Sequence, residues 1–313
     1  MSKNEPLIGV FMYTEESMSD VLSCYRKSVE NSLPAIFEAN FDNLDLTMQA
    51  ARYSLLAGGK RIRPVLMLSI SDLLGGSQER VMPYACAIEM IHTYSLIHDD
   101  LPCMDNDDTR RGNPTCHKKY TEPIALLAGD LLLNRAYEVL FSTCIDSDAS
   151  YARAALYLAD MAGGNGMIGG QTKDILSQGR KITQDELYLL HQQKTGCLLK
   201  AAIVVPAFLF CNENREVIIS LLEQLADEVG ISFQIKDDIL DVVSSKEVLG
   251  KSVGKDRDEN KSTYVTCYGL DQARSMLRDH YSRANSALYE LQKKGYDISF
   301  LLWLNQYLFE RES

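Results

Sequence analysis

Apolar residues recur along this chain at intervals of three and four, with hardly any strict alternation, which predicts helices almost throughout and an all-α fold. The segment ITQDELYLLHQQKTGCLLKAAIVV, starting at Ile182, shows how one helix is punctuated. Thr183 predicts its N-cap, Glu186 closes a capping box, and Ile182 predicts a staple onto Leu187. Two stretches depart from the pattern and predict polar loops: residues 101–122, and residues 244–263 as a candidate mobile lid. No repeat, low-complexity linker or Pro/Ser-rich hinge marks a boundary. Residues 1–313 are therefore expected to form one domain, with residues 1–35 an extension that carries no usable motif.

Some polar residues stand where the periodicity asks for apolar ones. Ile88, His92, Ser95 and Asp99 follow at spacings of four, three and four, so Asp99 ends an inward face. Asp105 lies about 240° further round an ideal helix and cannot share that face unless the chain bends, and Pro102 supplies a break. In FQIKDDILDVV, Gln234, Asp237 and Asp241 share a face, the two acids about 40° apart. Like charges so placed repel, and a buried-looking face keeps them only with a compensating cation. Lys194 falls in the stripe Leu187, Leu190, Lys194, Leu198, Ala201, Val205, where it either meets an anion or snorkels to water. In LLAGGKRIRP, Lys60, Arg61 and Arg63 crowd a helix boundary behind two glycines, an anion-binding corner.

Composition narrows what these residues can do. Forty-three acidic against 32 basic residues give a net charge of −11, so nucleic acid is not an expected partner and an anionic ligand needs local cations or a metal. Eight scattered cysteines without a Cys-x-x-Cys pair read as reduced thiols of a cytoplasmic protein. The N-terminus does not read as a secretory signal, and KAAIVVPAFLFCN, interrupted by Pro206, reads as too short to span a bilayer. No stable membrane insertion is expected. Carboxylates without nearby Cys or paired His suit a hard ion, and few carboxylates completed by water and phosphate suit Mg²⁺. An EF-hand counted from Asp105 fails, with Arg110 at the glycine position and Cys116 at the bidentate glutamate position. A Walker loop fails too, because Ser54 replaces its first glycine and Arg61 follows the lysine.

The segments GGKRIRP, HTYSLIHDDLPCMDNDDTRRG, AGD at 128–130, GGQTKD at 169–174, KTG at 194–196, FQIKDDILD and GK at 250–251 stand in an order that resembles the all-trans prenyl diphosphate synthases of the farnesyl and geranylgeranyl type. The resemblance runs from about residue 40 to the C-terminus, and its first aspartate-rich motif takes the longer form, with four residues between Asp100 and Asp105. It implies a bundle of roughly ten or more helices around a central substrate cavity, and a homodimer. It implies that Mg²⁺ ions on Asp99, Asp105 and Asp237 hold the allylic diphosphate, with help from Arg110, Lys194 and Lys251. Isopentenyl diphosphate would sit on Lys60, Arg63, His92 and Arg111 without metal. Thr195 and Gln234 would turn their dipoles toward the carbocation, Gln171 and Asp174 would line the site, and Lys255, Asp256 and Lys261 would close over the diphosphates.

The expected activity is head-to-tail condensation of isopentenyl diphosphate with dimethylallyl and geranyl diphosphates to farnesyl diphosphate, geranylgeranyl diphosphate being the alternative. Tyr94, five positions before Asp99 with small Ser95 above it, is the expected floor for the growing chain. On an ideal helix it lies about 7.5 Å from Asp99 along the axis and about 140° round, so it would close the cavity from its flank. A class I terpene cyclase is disfavoured because its second motif needs Ser or Thr at the place of Asp241 and Glu at the place of Ser245. A silent regulatory subunit could lose its acids, and this chain keeps both clusters.

Overall fold

A helix that is apolar on every side has to be surrounded, and Cys197–Phe210 (α10) is such a helix. The computed structural model describes residues 15–39, 45–211, 214–248 and 262–311. Around α10 pack α3 (Ile62–Leu73), α4 (Gln78–Asp99), α7 (Ala149–Ala162) and α11 (Arg215–Val248). α6 (Glu122–Cys144) lies along α4, and α2 (Leu46–Leu55) lies against α6. α13 (Leu270–Gln292) runs along α11, and α14 (Ser299–Glu310) packs on both. Shorter helices α5 (Cys116–Lys119), α8 (Met167–Ser177), α9 (Gln184–His191) and α12 (Tyr264–Tyr268) edge the site. The fold is all-α as expected. Among the described residues the only β structure is a two-residue ladder, Thr109–Arg110 against Asn113–Pro114.

Four expectations need correcting. The N-terminal segment is not a mere extension: Glu15–Glu38 forms α1, and its Val29, Leu33 and Phe37 are wholly buried in the main core. Residues 101–122 are not simply a polar loop, since they hold the hairpin and α5 and bury Leu101, Thr115, Cys116 and His117. The expected loop at 244–263 begins late, because α11 continues to Val248. Residues 249–261, with the rest of the candidate lid, lie outside the described residues. Finally, Pro206 sits inside α10 without ending it. The run Gln184–Phe210 is 27 residues and, by length and composition, could cross a membrane, although 61% of its most apolar window is buried inside the fold.

The capping box at Thr183 forms as the sequence predicts: the Glu186 N–H donates to Thr183 Oγ1 at 3.2 Å, and the Thr183 N–H donates to Glu186 Oε2 at 2.8 Å. What the periodicity hides is a π turn, Gln192–Gly196, between α9 and α10. A smaller core of Leu187, Ile231, Ile235, Ile239, Tyr264, Ala273 and Leu277 supports α9, α11, α12 and α13 beside that turn.

One ion pair is fully enclosed. Arg61, at φ 52°, turns its guanidinium inward to Glu89 of α4 at 2.6 Å and to the Leu55 carbonyl at 2.8 Å, and both charged side chains are at most 2% exposed. It ties the loop before α3 to α4. Breaking such a pair leaves an uncompensated buried charge, so Arg61→Met or Glu89→Leu alone should cost about 3–5 kcal/mol, whereas the double variant should recover most of it. Denaturant midpoints for the three variants check this, and a double variant no better than the singles would show the pair to be stabilising in itself.

Candidate active site

Asp99 is the last residue of α4, where the helix carbonyls already present a negative end. The chain then turns back so that the Asp105 N–H donates to the Asp99 carbonyl at 2.8 Å. The bend expected at Pro102 therefore does bring the two acids together. The Asp99 carboxylate accepts from Gln171 Nε2 at 2.8 Å and feels Lys194, Asp105, Arg110 and Asp174. Burial is the largest influence on it and pushes its pKa from 3.8 to about 6.

Two cations of this acidic half are already engaged. Arg110 grips Asp100, the second acid of the first motif, through Nε at 2.8 Å and Nη2 at 2.6 Å. It clamps the motif by holding Asp100, and its charge also acts on Asp99. Lys194 Nζ donates to Asp174 Oδ2. Its companion Thr195 donates from Oγ1 to Gln234 Oε1 at 2.8 Å. Both residues lie in the π turn. That turn fits because its neighbours are bare: a Cβ on Gly170 of α8 would strike the Lys194 backbone, and one on Gly230 of α11 would meet Gly196 Cα at 2.9 Å.

The second acidic cluster divides its work. Asp238, 4% exposed, accepts from Gln234 Nε2 at 2.8 Å and from the Tyr264 backbone N–H at 2.7 Å. Asp237 instead accepts from Arg311 Nη2 at 2.5 Å. Arg311, at the end of α14, lies over the Phe233 ring with 4.0 Å to its centroid and also donates to the Phe233 carbonyl at 3.1 Å. Burial raises the Asp237 pKa, opposed by Arg311, Lys60 and Arg63. Asp241, on the same helix, is half-buried.

A cationic half faces these acids. Burial lowers the pKa of Lys60, as does Arg311, while Asp237 opposes the shift. Burial also works against the charge of Arg63, which feels Glu89, Asp237 and Arg111. Arg111 and Gly112 occupy the tip of the short hairpin at φ 54° and 75°, the pairing that a two-residue type I′ turn requires. The turn sends Arg111 to the Gly58 carbonyl, and a Cβ on Gly59 would meet the Arg111 guanidinium carbon at 2.7 Å. His92, one helical turn from Glu89, is held neutral by burial and by Arg63, Arg111, Arg110 and Arg61, all of which lower its pKa. Of the three cations read from GGKRIRP, Arg61 is withdrawn into the core, Arg63 acts with Arg111 on His92, and Lys60 feels Arg311 and Asp237.

Tyr94 is 6% exposed, stands edge-on to His98 with ring centroids 5.7 Å apart, and feels Tyr137 of α6. Ser95 donates to the His92 carbonyl at 2.9 Å along its own helix. Lys251, Lys255, Asp256 and Lys261 lie outside the described residues. Asp238 and Arg311 lie outside the expected site residues, and Asp100 is expected only as a member of the first motif, with no role of its own. Asp238 stands four residues after Gln234, the spacing of a helical side-chain pair, whereas nothing local to Arg311 points 74 positions back to Asp237.

Residues 45–297 match the family described as polyprenyl synthetase, and the chain belongs to that family. It is 44% identical over 263 residues to the farnesyl diphosphate synthase of Micrococcus luteus, covering 84% of this chain and 88% of that protein. It is 46% identical over 242 residues to the chloroplastic geranylgeranyl pyrophosphate synthase of Capsicum annuum, covering 77% and 65%. Among solved structures, a geranyltransferase from Legionella pneumophila superposes with a TM-score of 0.84 at 31% identity, covering 96% of this chain and 99% of that one.

The electrostatics of Asp99 can be tested without substrate. Its folded pKa of about 6 lies above the ordinary 3.8, so the folded chain binds the proton more tightly than the unfolded one. The stability this gives is complete below about pH 4 and is lost as pH rises through about 6. In EDTA, Asp99→Asn should therefore be more stable than the parent by about 2–3 kcal/mol at pH 7.5, with the difference vanishing near pH 4. Denaturant midpoints across that range check it; a difference independent of pH would contradict burial as the cause.

Proposed function

We propose that this chain is a trans-prenyltransferase that joins isopentenyl diphosphate head to tail with dimethylallyl and then geranyl diphosphate, giving farnesyl diphosphate. The observation that carries this reading is the division of one site into an acidic half around Asp99, Asp105 and Asp237 and a cationic corner of Lys60, Arg63, His92 and Arg111. Two diphosphates must lie side by side while only one ionises, and two unlike anion sites can treat them differently.

The acidic half suits Mg²⁺. Its donors are all oxygen, and among the described residues no three His, Cys, Asp or Glu side chains gather to hold an ion unaided. An ion on Asp99 and Asp105, or on Asp237, therefore needs oxygens from phosphate and water to complete its shell, as Mg²⁺ commonly does. Arg311 already stands against Asp237 as a cation. Mg²⁺ bound there would supply positive charge to the departing allylic diphosphate. The chain's own part is to add Lys194 beside that anion and to present Thr195 and Gln234 to the allylic cation. Lys60, Arg63 and Arg111 hold isopentenyl diphosphate by charge, and neutral His92 adds a hydrogen bond. Its C–O bond thus receives no metal assistance and stays intact. Attack by its double bond on the allylic cation is followed by loss of a proton, for which the released diphosphate is the base.

We further propose one domain, a cytoplasmic location and a homodimer. All eight cysteines are free thiols. Leu127 and Phe141 on α6, Leu156 on α7 and Leu176 on α8 expose half or more of their surface, an apolar face suited to a second copy. Incubating the purified protein with isopentenyl diphosphate, each allylic primer and Mg²⁺, then chromatographing dephosphorylated products, should give mainly farnesol, and EDTA should abolish it. A cyclic hydrocarbon, or no product with any primer, would overturn the reading.

Chain length rests on Tyr94. Its phenol is buried between α4 and α6, close to His98 one turn on and to Tyr137, a position from which it blocks further extension. Tyr94→Ala should shift the main product from C15 to C20 or longer while keeping activity. An unchanged product distribution would place the floor elsewhere.

A further inference from the structure

Asp238 lies next to Asp237, the carboxylate assigned to metal, yet both its own oxygens are committed elsewhere. Oδ1 accepts from Gln234 Nε2 at 2.8 Å, and Oδ2 accepts from the Tyr264 backbone N–H at 2.7 Å. With 4% of its surface exposed and each oxygen already bonded, it is poorly placed to hold an ion. Its position decides something else. Gln234 turns its NH₂ to that carboxylate, donating from Nε2 to Oδ1, while the other oxygen is taken by the Tyr264 N–H. The amide cannot turn over, and its carbonyl oxygen is directed at Thr195. Thr195 Oγ1 stands 2.8 Å from that carbonyl, which can only accept, so the hydroxyl spends its single hydrogen there. Everything else that meets the Thr195 oxygen meets lone pairs.

We propose that Asp238 is a positioning residue: by fixing the Gln234 amide it commits the Thr195 proton to Gln234, leaving oxygen lone pairs toward the allylic cation. This rests on the prenyl-transfer reading above. The same carboxylate fastens the first residue of α12 to the second aspartate-rich motif, so the polarity of the relay and the entry into α12 depend on one side chain. A cation developing beside Thr195 is met by the negative end of a dipole already oriented, with no rearrangement required during the reaction.

The isosteric Asp238→Asn reverses the relay without emptying the space. The carbonyl of the substituted side chain can still accept from the Tyr264 N–H, but its NH₂ then faces Gln234. The Gln234 amide must turn over, its NH₂ donates to Thr195, and the Thr195 hydrogen points outward. With the parent enzyme shown to make its prenyl product, Asp238→Asn should lower kcat about 100-fold while changing KM for either substrate less than threefold. Two further variants separate this from a merely structural role. Asp238→Asn combined with Gln234→Glu restores the original direction, because the introduced amide donates to the introduced carboxylate and that carboxylate accepts from Thr195. The double variant should regain at least tenfold in kcat over Asp238→Asn. In a Thr195→Val background, where no hydroxyl remains to orient and only the Gln234 dipole itself is turned, Asp238→Asn should cost less than tenfold. Asp238→Asn retaining kcat within threefold, a double variant without recovery, or an equal loss in the Thr195→Val background would each overturn the proposal. Failure of the parent enzyme to make prenyl product would instead overturn the reading on which it rests.

Discussion

Carboxylates held largely out of water at the end of a helix set the terms for the rest of the site. Asp99 ends α4 against the negative pole of its own helix, and Asp105 is folded back beside it. Nearby charges are parcelled into pairs: Arg110 with Asp100, Lys194 with Asp174, Arg311 with Asp237. Asp99 is left with a glutamine and a raised pKa. That residual negative charge is what the proposed Mg²⁺, carrying phosphate oxygens of its own, would neutralise. Lys60, Arg63 and Arg111 form the opposite imbalance, three cations gathered in one corner where burial works against the charge of each.

Local irregularities in an otherwise regular bundle put these groups in place. The π turn brings Lys194 and Thr195 onto the site from a helix whose continuation is core, and Gly170 and Gly230 let α8 and α11 close on it. A type I′ hairpin turns two adjacent arginines in different directions, Arg110 to the acids and Arg111 to the loop at Gly58. The enclosed Arg61–Glu89 pair fixes the stretch between Lys60 and Arg63. Regular helices supply rigidity, and the departures from regularity carry the chemistry.

Helix periodicity made the fold class legible, and the intrusion of Asp99, Lys194 and Asp237 into apolar stripes made much of the site legible. Such residues oppose the burial pattern around them, so their position alone marks them. Arg61 shows the limit of that reasoning: it stands between Lys60 and Arg63 in one cationic run, yet a left-handed φ and a partner 28 positions away draw it into the core. Arg110 enters the expected site only through the family resemblance, and its pairing with Asp100 is visible only in the fold. Arg311 and the Tyr264 N–H reach the second motif through tertiary packing alone. The π turn left no trace, because one extra residue in a helix hardly disturbs its apolar pattern.

Central to this account is that metal and diphosphate complete one another at the acidic half. Calorimetric titration of Mg²⁺ into the protein, with and without inorganic diphosphate, tests that directly. Because no three acidic or imidazole side chains among the described residues form a cage of their own, Mg²⁺ alone should bind weakly, and diphosphate should strengthen its binding at least a hundredfold, with more than one ion per chain. Equal affinity for Mg²⁺ in the presence and absence of diphosphate would contradict the account.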